Sequence, residues 1–121
     1  MLDHVIISVS DLAVSRAFYE KTLAPLGYSV IMESDNGCAF SVLEKPDFFI
    51  SQGDKVTPPI HIAFTSRDRA SVDQMHAAAI AAGGTDNGPP GLREHYHPNY
   101  YGAFVLDPDG HNIEAVCHRP Q

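Results

Sequence analysis

Apolar and polar residues alternate from His4 to Val9. Val5, Ile7 and Val9 fall on one face and His4, Ile6 and Ser8 on the other, the pattern of a strand with one greasy side. Ser10 and Asp11 then offer a cap for a helix over roughly 12–24, where Val14, Ala17 and Phe18 form an apolar stripe and Pro25 and Gly27 end the element. Tyr28 to Glu33, Cys38 to Leu43 and Phe48 to Ser51 read as three further strands, divided by the turns Ser34-Asp35-Asn36-Gly37 and Glu44-Lys45-Pro46-Asp47. The first half, residues 1–56, is therefore predicted as βαβββ.

Lys55 to Pro59 is a connector, and its Pro58-Pro59 pair excludes helix. The second half, residues 60–118, repeats the plan. Ile60 to Thr65 is a strand and Asp68 a cap. The helix that follows runs through Ala82, with Val72, Met75, Ala79 and Ile80 at i, i+3, i+7 and i+8, and Gly83-Gly84 stops it. Phe104 to Leu106 and Asn112 to His118 form a hairpin about Asp107-Pro108-Asp109-Gly110, where Pro presets one dihedral and Gly takes the left-handed position.

An offset of 57 superposes His4 to Gly27 on His61 to Gly84. His4 lands on His61, Asp11 on Asp68, Ala13 on Ala70, Ala24 on Ala81 and Gly27 on Gly84. These identities fall at a strand start, a helix cap and a helix stop, which indicates an internal duplication. Matching Ala39-Phe40 to Ala103-Phe104 requires an offset of 64, so the second half carries seven extra residues, placed in or near Asn87 to Tyr101. That stretch, NGPPGLREHYHPNYY, reads either as a binding lid or as a surface hairpin with incidental aromatics.

At 121 residues the chain suits one domain, and halves of this size should share one core. A net charge of −7 with eight Lys and Arg lacks the basic stripe that nucleic acid requires. No apolar run is long enough to span a bilayer and the N-terminus is not of the basic, apolar secretory kind, so membrane partners are not expected and a cytoplasmic location is. Cys38 and Cys117 have no CxxC spacing and read as buried free thiols.

The duplication carries the candidate chemistry. If the halves pack about a pseudo-twofold axis, His4 and His61 are equivalent and converge as two imidazoles of a metal site. Glu114 interrupts an apolar strand, where a carboxylate is costly unless paired or metal-bound, and the position 64 residues earlier is Ile50. The predicted ligands are therefore His4, His61 and Glu114. Three protein ligands leave open positions, as in a catalytic metal site, and the set suits Zn, Fe, Mn, Ni or Co. The alternative is that Glu114 pairs with a buried Arg or His and binds nothing. His95, His97, Tyr100 and Tyr101 are candidates for proton transfer. His118 lies about 13 Å along the strand from Glu114, at an outer pocket. His76 and His111 are expected to be solvated.

Asp3-His4-Val5, the run Phe18 to Leu23 with Leu26-Gly27-Tyr28, His61-Ile62-Ala63-Phe64 and the closing Phe104 to Glu114 together resemble the vicinal oxygen chelate superfamily. That group includes glyoxalase I, fosfomycin-resistance proteins, extradiol dioxygenases and bleomycin-resistance proteins. The resemblance implies an α+β fold of two paired βαβββ modules, a cupped mixed sheet around a divalent metal, and a homodimer. It implies a lyase, isomerase or oxygenase acting on a small oxygenated substrate that chelates the metal. Glutathione-dependent glyoxalase I chemistry is disfavoured, because Ile50 stands where those enzymes carry a second glutamate. A drug- or ligand-sequestering protein of the bleomycin-resistance type is the non-catalytic alternative.

Overall fold

The two halves fold as two sheets of one design in the computed structural model, which describes residues 1–121. β1 (Val5–Val9) leads through α1 (Leu12–Leu23) and a single 3-10 turn to β2 (Ser29–Ser34), β3 (Gly37–Ser41) and β4 (Phe48–Gln52). β5 (His61–Thr65), α2 (Arg69–Ala81), β6 (Thr85–Leu92), β7 (Tyr101–Leu106) and β8 (Asn112–Cys117) repeat the order. The strands lie in the sequence β1-β4-β3-β2 in one sheet and β5-β8-β7-β6 in the other. Each sheet's first and last strands run parallel, a pairing that requires a crossover connection, and each crossover begins with a helix. No helix is long and apolar enough to cross a membrane.

Both helices start at the expected caps. The Asp11 carboxylate accepts the Val14 amide at 3.2 Å, and Asp68 accepts the Ser71 amide at 2.8 Å. The prolines at 89 and 90, by contrast, do not make a loop. They lie in β6, an edge strand, where a missing N–H leaves no ladder bond unmade, and register shifts between Asp86 and Gly91 absorb the irregularity. Only residues 93–100 are loop. They are closed by bonds from the Arg93 amide to the Tyr100 carbonyl at 2.7 Å and from the Tyr100 amide to the His97 carbonyl at 3.0 Å.

Strand register corrects the alignment of the halves. Ile6 pairs with Phe49 and Ala63 with Glu114, while Ala39 pairs with Phe49 and Phe104 with Glu114. The later strands therefore correspond at an offset of 65, and the surplus in the second half is eight residues. The counterpart of Glu114 is Phe49. Ile50 pairs with Ile7 on the opposite face and is buried in the core.

The core is common to both modules. Phe64 of β5 packs edge-on against Phe48 of β4 and against Tyr28, each with ring centroids 5.4 Å apart. α1 packs against α2, and 19 buried residues from both halves form one cluster. The turn after β7 adds a polar clasp: Asp107 accepts the Tyr19 hydroxyl on one oxygen and, on the other, the amides of Asp109 and His111 at 2.9 and 2.8 Å. Asp109 in turn accepts the Ser10 amide at 3.0 Å. The Asp-Pro-Asp-Gly sequence thus makes a turn and also fastens the second module to the first.

Candidate functional site

Each sheet turns one face to the shared core and leaves the other open. On the first sheet the open face carries Ile6, Met32 and Phe49 around a shallow groove of about 330 Å³, which Cys38, Ala39 and Ser51 also line. On the second it carries His61, Ala63, Phe104 and Glu114.

Glu114 is 1% exposed in the middle of β8, and both of its oxygens are engaged. Oε1 lies 2.8 Å from Nε2 of His61, and Oε2 accepts the Tyr100 hydroxyl. Pairing on both oxygens offsets the desolvation that would otherwise make this carboxylate unfavourable. Two small neighbours make the arrangement fit. Ala63 stands beside Glu114 in β5, and a Cβ at Gly102 would lie 3.1 Å from the Tyr100 ring and 3.3 Å from Oε2. Burial, and then the hydrogen bond and charge of Glu114, push the Tyr100 phenol well above its ordinary value, so it remains a neutral donor at pH 7. The His61 side chain is half exposed, with its ring 6.0 Å from that of Phe104.

His4 stands apart from this pair. It precedes β1 on the first sheet, its ring 5.4 Å from Phe49, and its Nδ1 bonds the Asp3 carboxylate at 2.7 Å. Asp3 is itself paired with Lys45 at 2.7 Å, and these two partners hold its carboxyl below the usual carboxylate range. With Nδ1 engaged by the carboxylate, Nε2 is the ring nitrogen left for another partner. The three predicted ligands nevertheless do not meet within one chain, and no group of three His, Cys, Asp or Glu side chains is gathered as a metal site. The modules meet through α1 on α2 and through Phe64 on Phe48 and Tyr28, and His4 and the His61–Glu114 pair stay on separate sheets.

The proton-transfer candidates separate in the same way. Tyr100 reaches Glu114. Tyr101, one residue on, points to the helix side, where its hydroxyl donates to Asp73 at 2.6 Å and Arg69 lies over its ring. His95 lies tilted against Tyr96 in the exposed loop, and His97 accepts the Asn99 amide and stands edge-on to His118 at 5.6 Å. His118 also meets the Tyr100 ring at 5.2 Å and lines the groove of about 810 Å³ between the modules. Two histidines expected in solvent are not there. His111 is fully buried, with Nδ1 accepting the Ile60 amide at 3.1 Å, and His76 is mostly covered and bonded to Asp86 at 2.9 Å. Sequence reasoning missed the Asp3 contact to His4, although the adjacent carboxylate was its signal, and missed Gly102, for which alternation alone offered none.

Two helix-backed βαβββ sheets with matching histidines at their first strands define a paired-module protein of the glyoxalase type. Residues 1–115 match the Glyoxalase/Bleomycin resistance protein/Dioxygenase superfamily, and the chain belongs to that family. A glyoxalase/bleomycin resistance protein from Albidiferax ferrireducens T118 is 32% identical, with 99% of each chain covered and a TM-score of 0.83. A glyoxalase/bleomycin resistance protein/dioxygenase family enzyme from Burkholderia phytofirmans PsJN is 21% identical, over 97% of this chain and 98% of that one, with a TM-score of 0.75. A lactoylglutathione lyase from Agrobacterium tumefaciens is 17% identical, over 97% and 92%, with a TM-score of 0.70. The last two likenesses show the fold. No curated protein matches the sequence.

Proposed function

We propose that the protein is a metal-dependent enzyme, a lyase, isomerase or oxygenase, whose site is completed between two copies of the chain. The observation that carries this reading is Glu114, a buried carboxylate hydrogen-bonded to a half-exposed histidine on an otherwise open face. His61 Nε2 and Glu114 Oε1 are borderline and hard donors already side by side, which suits Zn, Fe, Mn, Ni or Co. Two donors fit such an ion incompletely. The third is His4, half exposed at the start of the other sheet with its ring beside Phe49. A homodimer in which the first sheet of one copy covers the second sheet of the other would bring His4 to His61 and Glu114 twice, once at each symmetric site.

In that assembly a divalent ion would supply Lewis-acid stabilisation to oxyanions forming on a small substrate that chelates it. The chain's own groups have separate tasks. Tyr100 holds Glu114 by Oε2 so that Oε1 stays directed at His61. Ile6, Met32 and Phe49 exclude water from the covered face. His97 and His118, beside Tyr100, are the imidazoles available to move a substrate proton.

The test is complementation. Metal content and oligomer mass are measured for wild type, His4→Ala, Glu114→Ala and a refolded equimolar mixture of the two variants. Each variant alone should lose its metal. Random pairing in the mixture puts one intact site in half of the dimers, restoring about a quarter of the wild-type content. A monomer that retains metal, or a mixture no better than its components, would sink the shared site. The non-catalytic alternative, a cup that sequesters a ligand, draws support from the His61–Glu114 pairing itself, which satisfies the carboxylate without an ion. Wild-type protein that binds ligands equally well after chelation would favour it.

A further inference from the structure

One cation stands on the open face of the second sheet. Arg93 begins the β6–β7 loop, and its amide is fixed by the Tyr100 carbonyl at 2.7 Å. Its guanidinium folds back along β6 over the Phe104 ring, with Cζ 5.4 Å from the centroid, and Nη2 donates to the Pro89 carbonyl at 2.7 Å. Phe104 is the register partner of Glu114 and the ring neighbour of His61. The Arg93 charge therefore lies one aromatic ring away from the His61–Glu114 pair.

Two glycines in β6 give the guanidinium its room. A Cβ at Gly91 would lie 3.1 Å from Nη1, and one at Gly88 would lie 3.3 Å from Nη2. At Gly88 the φ of +151° adds a backbone reason for glycine as well. Arg16 and Arg67 bridge carboxylates, and Arg69 lies against Tyr101. Arg93 has no carboxylate partner: a carbonyl takes one of its donors, an aromatic ring supports its plane, and the rest of the fork is open. A planar fork held in place with free donors is the group that binds a carboxylate in two-point fashion.

We propose that Arg93 anchors a carboxylate of the substrate, so that the substrate class is a small 2-oxo or 2-hydroxy acid with a compact apolar substituent. The carboxylate would meet Arg93, and the apolar part would rest against the Ile6, Met32 and Phe49 face of the covering copy. Local charge favours a monoanion over a phosphate or phosphonate dianion, because one cation stands here beside Glu114 in a chain of net charge −7. For the placement of the second oxygen the assignment rests on the proposed metal site, whereas the carboxylate contact needs only Arg93.

The test measures calorimetric affinity for pyruvate and mandelate, each against its uncharged amide, using wild type, Arg93→Gln and Arg93→Lys in both manganese-loaded and chelator-treated protein. Wild type should bind each acid at least about tenfold more tightly than its amide, Arg93→Gln should remove most of that ratio, and Arg93→Lys should restore part of it. Circular dichroism and melting of the variants should match wild type, since Arg93 contributes nothing to the core. Equal affinity for acid and amide in wild type, an acid preference untouched by Arg93→Gln, or no binding of either acid would overturn the assignment. An acid preference that depends on Arg93 in protein that takes up no manganese would uphold it while removing the metal reading. Manganese uptake without that preference would do the reverse.

Discussion

The two modules share a plan and differ on one face. Toward the core they are alike, with Ile7, Phe48 and Ile50 in the first answered by Phe64, Ile113 and Ala115 in the second. Toward the open side they part: Ile6, Phe49 and Ala39 correspond to Ala63, Glu114 and Phe104. Packing accepts few alternatives on a face buried against another module, whereas an open face tolerates any side chain whose polar atoms find partners. Only the histidines at the first strands match in chemistry, and each is oriented by its own carboxylate, Asp3 for His4 and Glu114 for His61.

The comparison can be broken most forcefully through the core. Phe48→Ala removes the ring that meets Tyr19, Phe40 and Phe64, and it should cost about 3–5 kcal/mol; its counterpart Ile113→Ala should cost about 2–5 kcal/mol. In urea titrations followed by fluorescence and circular dichroism, both should show one transition displaced as a whole. Separate unfolding of the halves would mean that each module carries its own core.

A smaller effect separates positions 19 and 76, which the offset of 57 makes equivalent. Tyr19→Phe leaves a buried oxygen of Asp107 without its donor and should cost about 1–3 kcal/mol. His76→Ala removes a mostly covered imidazole but leaves no buried polar partner unsatisfied, because Asp86 is exposed, and it should move the unfolding midpoint less. Equal losses at the two sites would show that the clasp between modules contributes no more than a surface contact.

Alkaline pH sharpens the same asymmetry more gently. Burial, followed by the charge of Asp107, raises the Tyr19 phenol well above its ordinary value, and burial with Asp47 does the same for Tyr28. A raised folded value means that the fold favours the neutral phenol. This contribution is fully present below the unfolded value of about 10 and is lost as pH rises beyond it toward the folded value. Denaturation midpoints in buffers from neutral to strongly alkaline should hold steady and then decline, with the decline reduced in Tyr19→Phe.

Legibility followed the range of the interaction. Both caps, both helices, the first strands and the closing hairpin were readable because period and capping chemistry act within a few residues. The β6 strand was not, since Pro89 and Pro90 signal a break and only their place at a sheet edge makes them harmless. Glu114 stands out as an anomaly from its neighbours alone, but sequence spacing puts its counterpart at Ile50, one residue from Phe49. A single-residue slip inverts a strand's faces, and only pairing with Ile6 and Ala63 reveals that Phe49 is the equivalent. His111 reads locally as a turn residue in solvent, whereas its burial depends on Ile60, which lies 51 residues away in sequence.

By itself, then, the amino-acid order determined the repeated βαβββ plan, the family and a short list of polar groups, because these are written in local alternation and in spacing that recurs. Tertiary structure alone decided which groups share a face: it joined His61, Glu114 and Tyr100, brought Arg93 to the same wall and kept His4 on the other sheet. The reason is that His4 and His61 stand at the starts of different sheets, whose relative placement is set by contacts far apart in sequence, α1 on α2 and Phe64 on Phe48 and Tyr28. No local pattern records that choice.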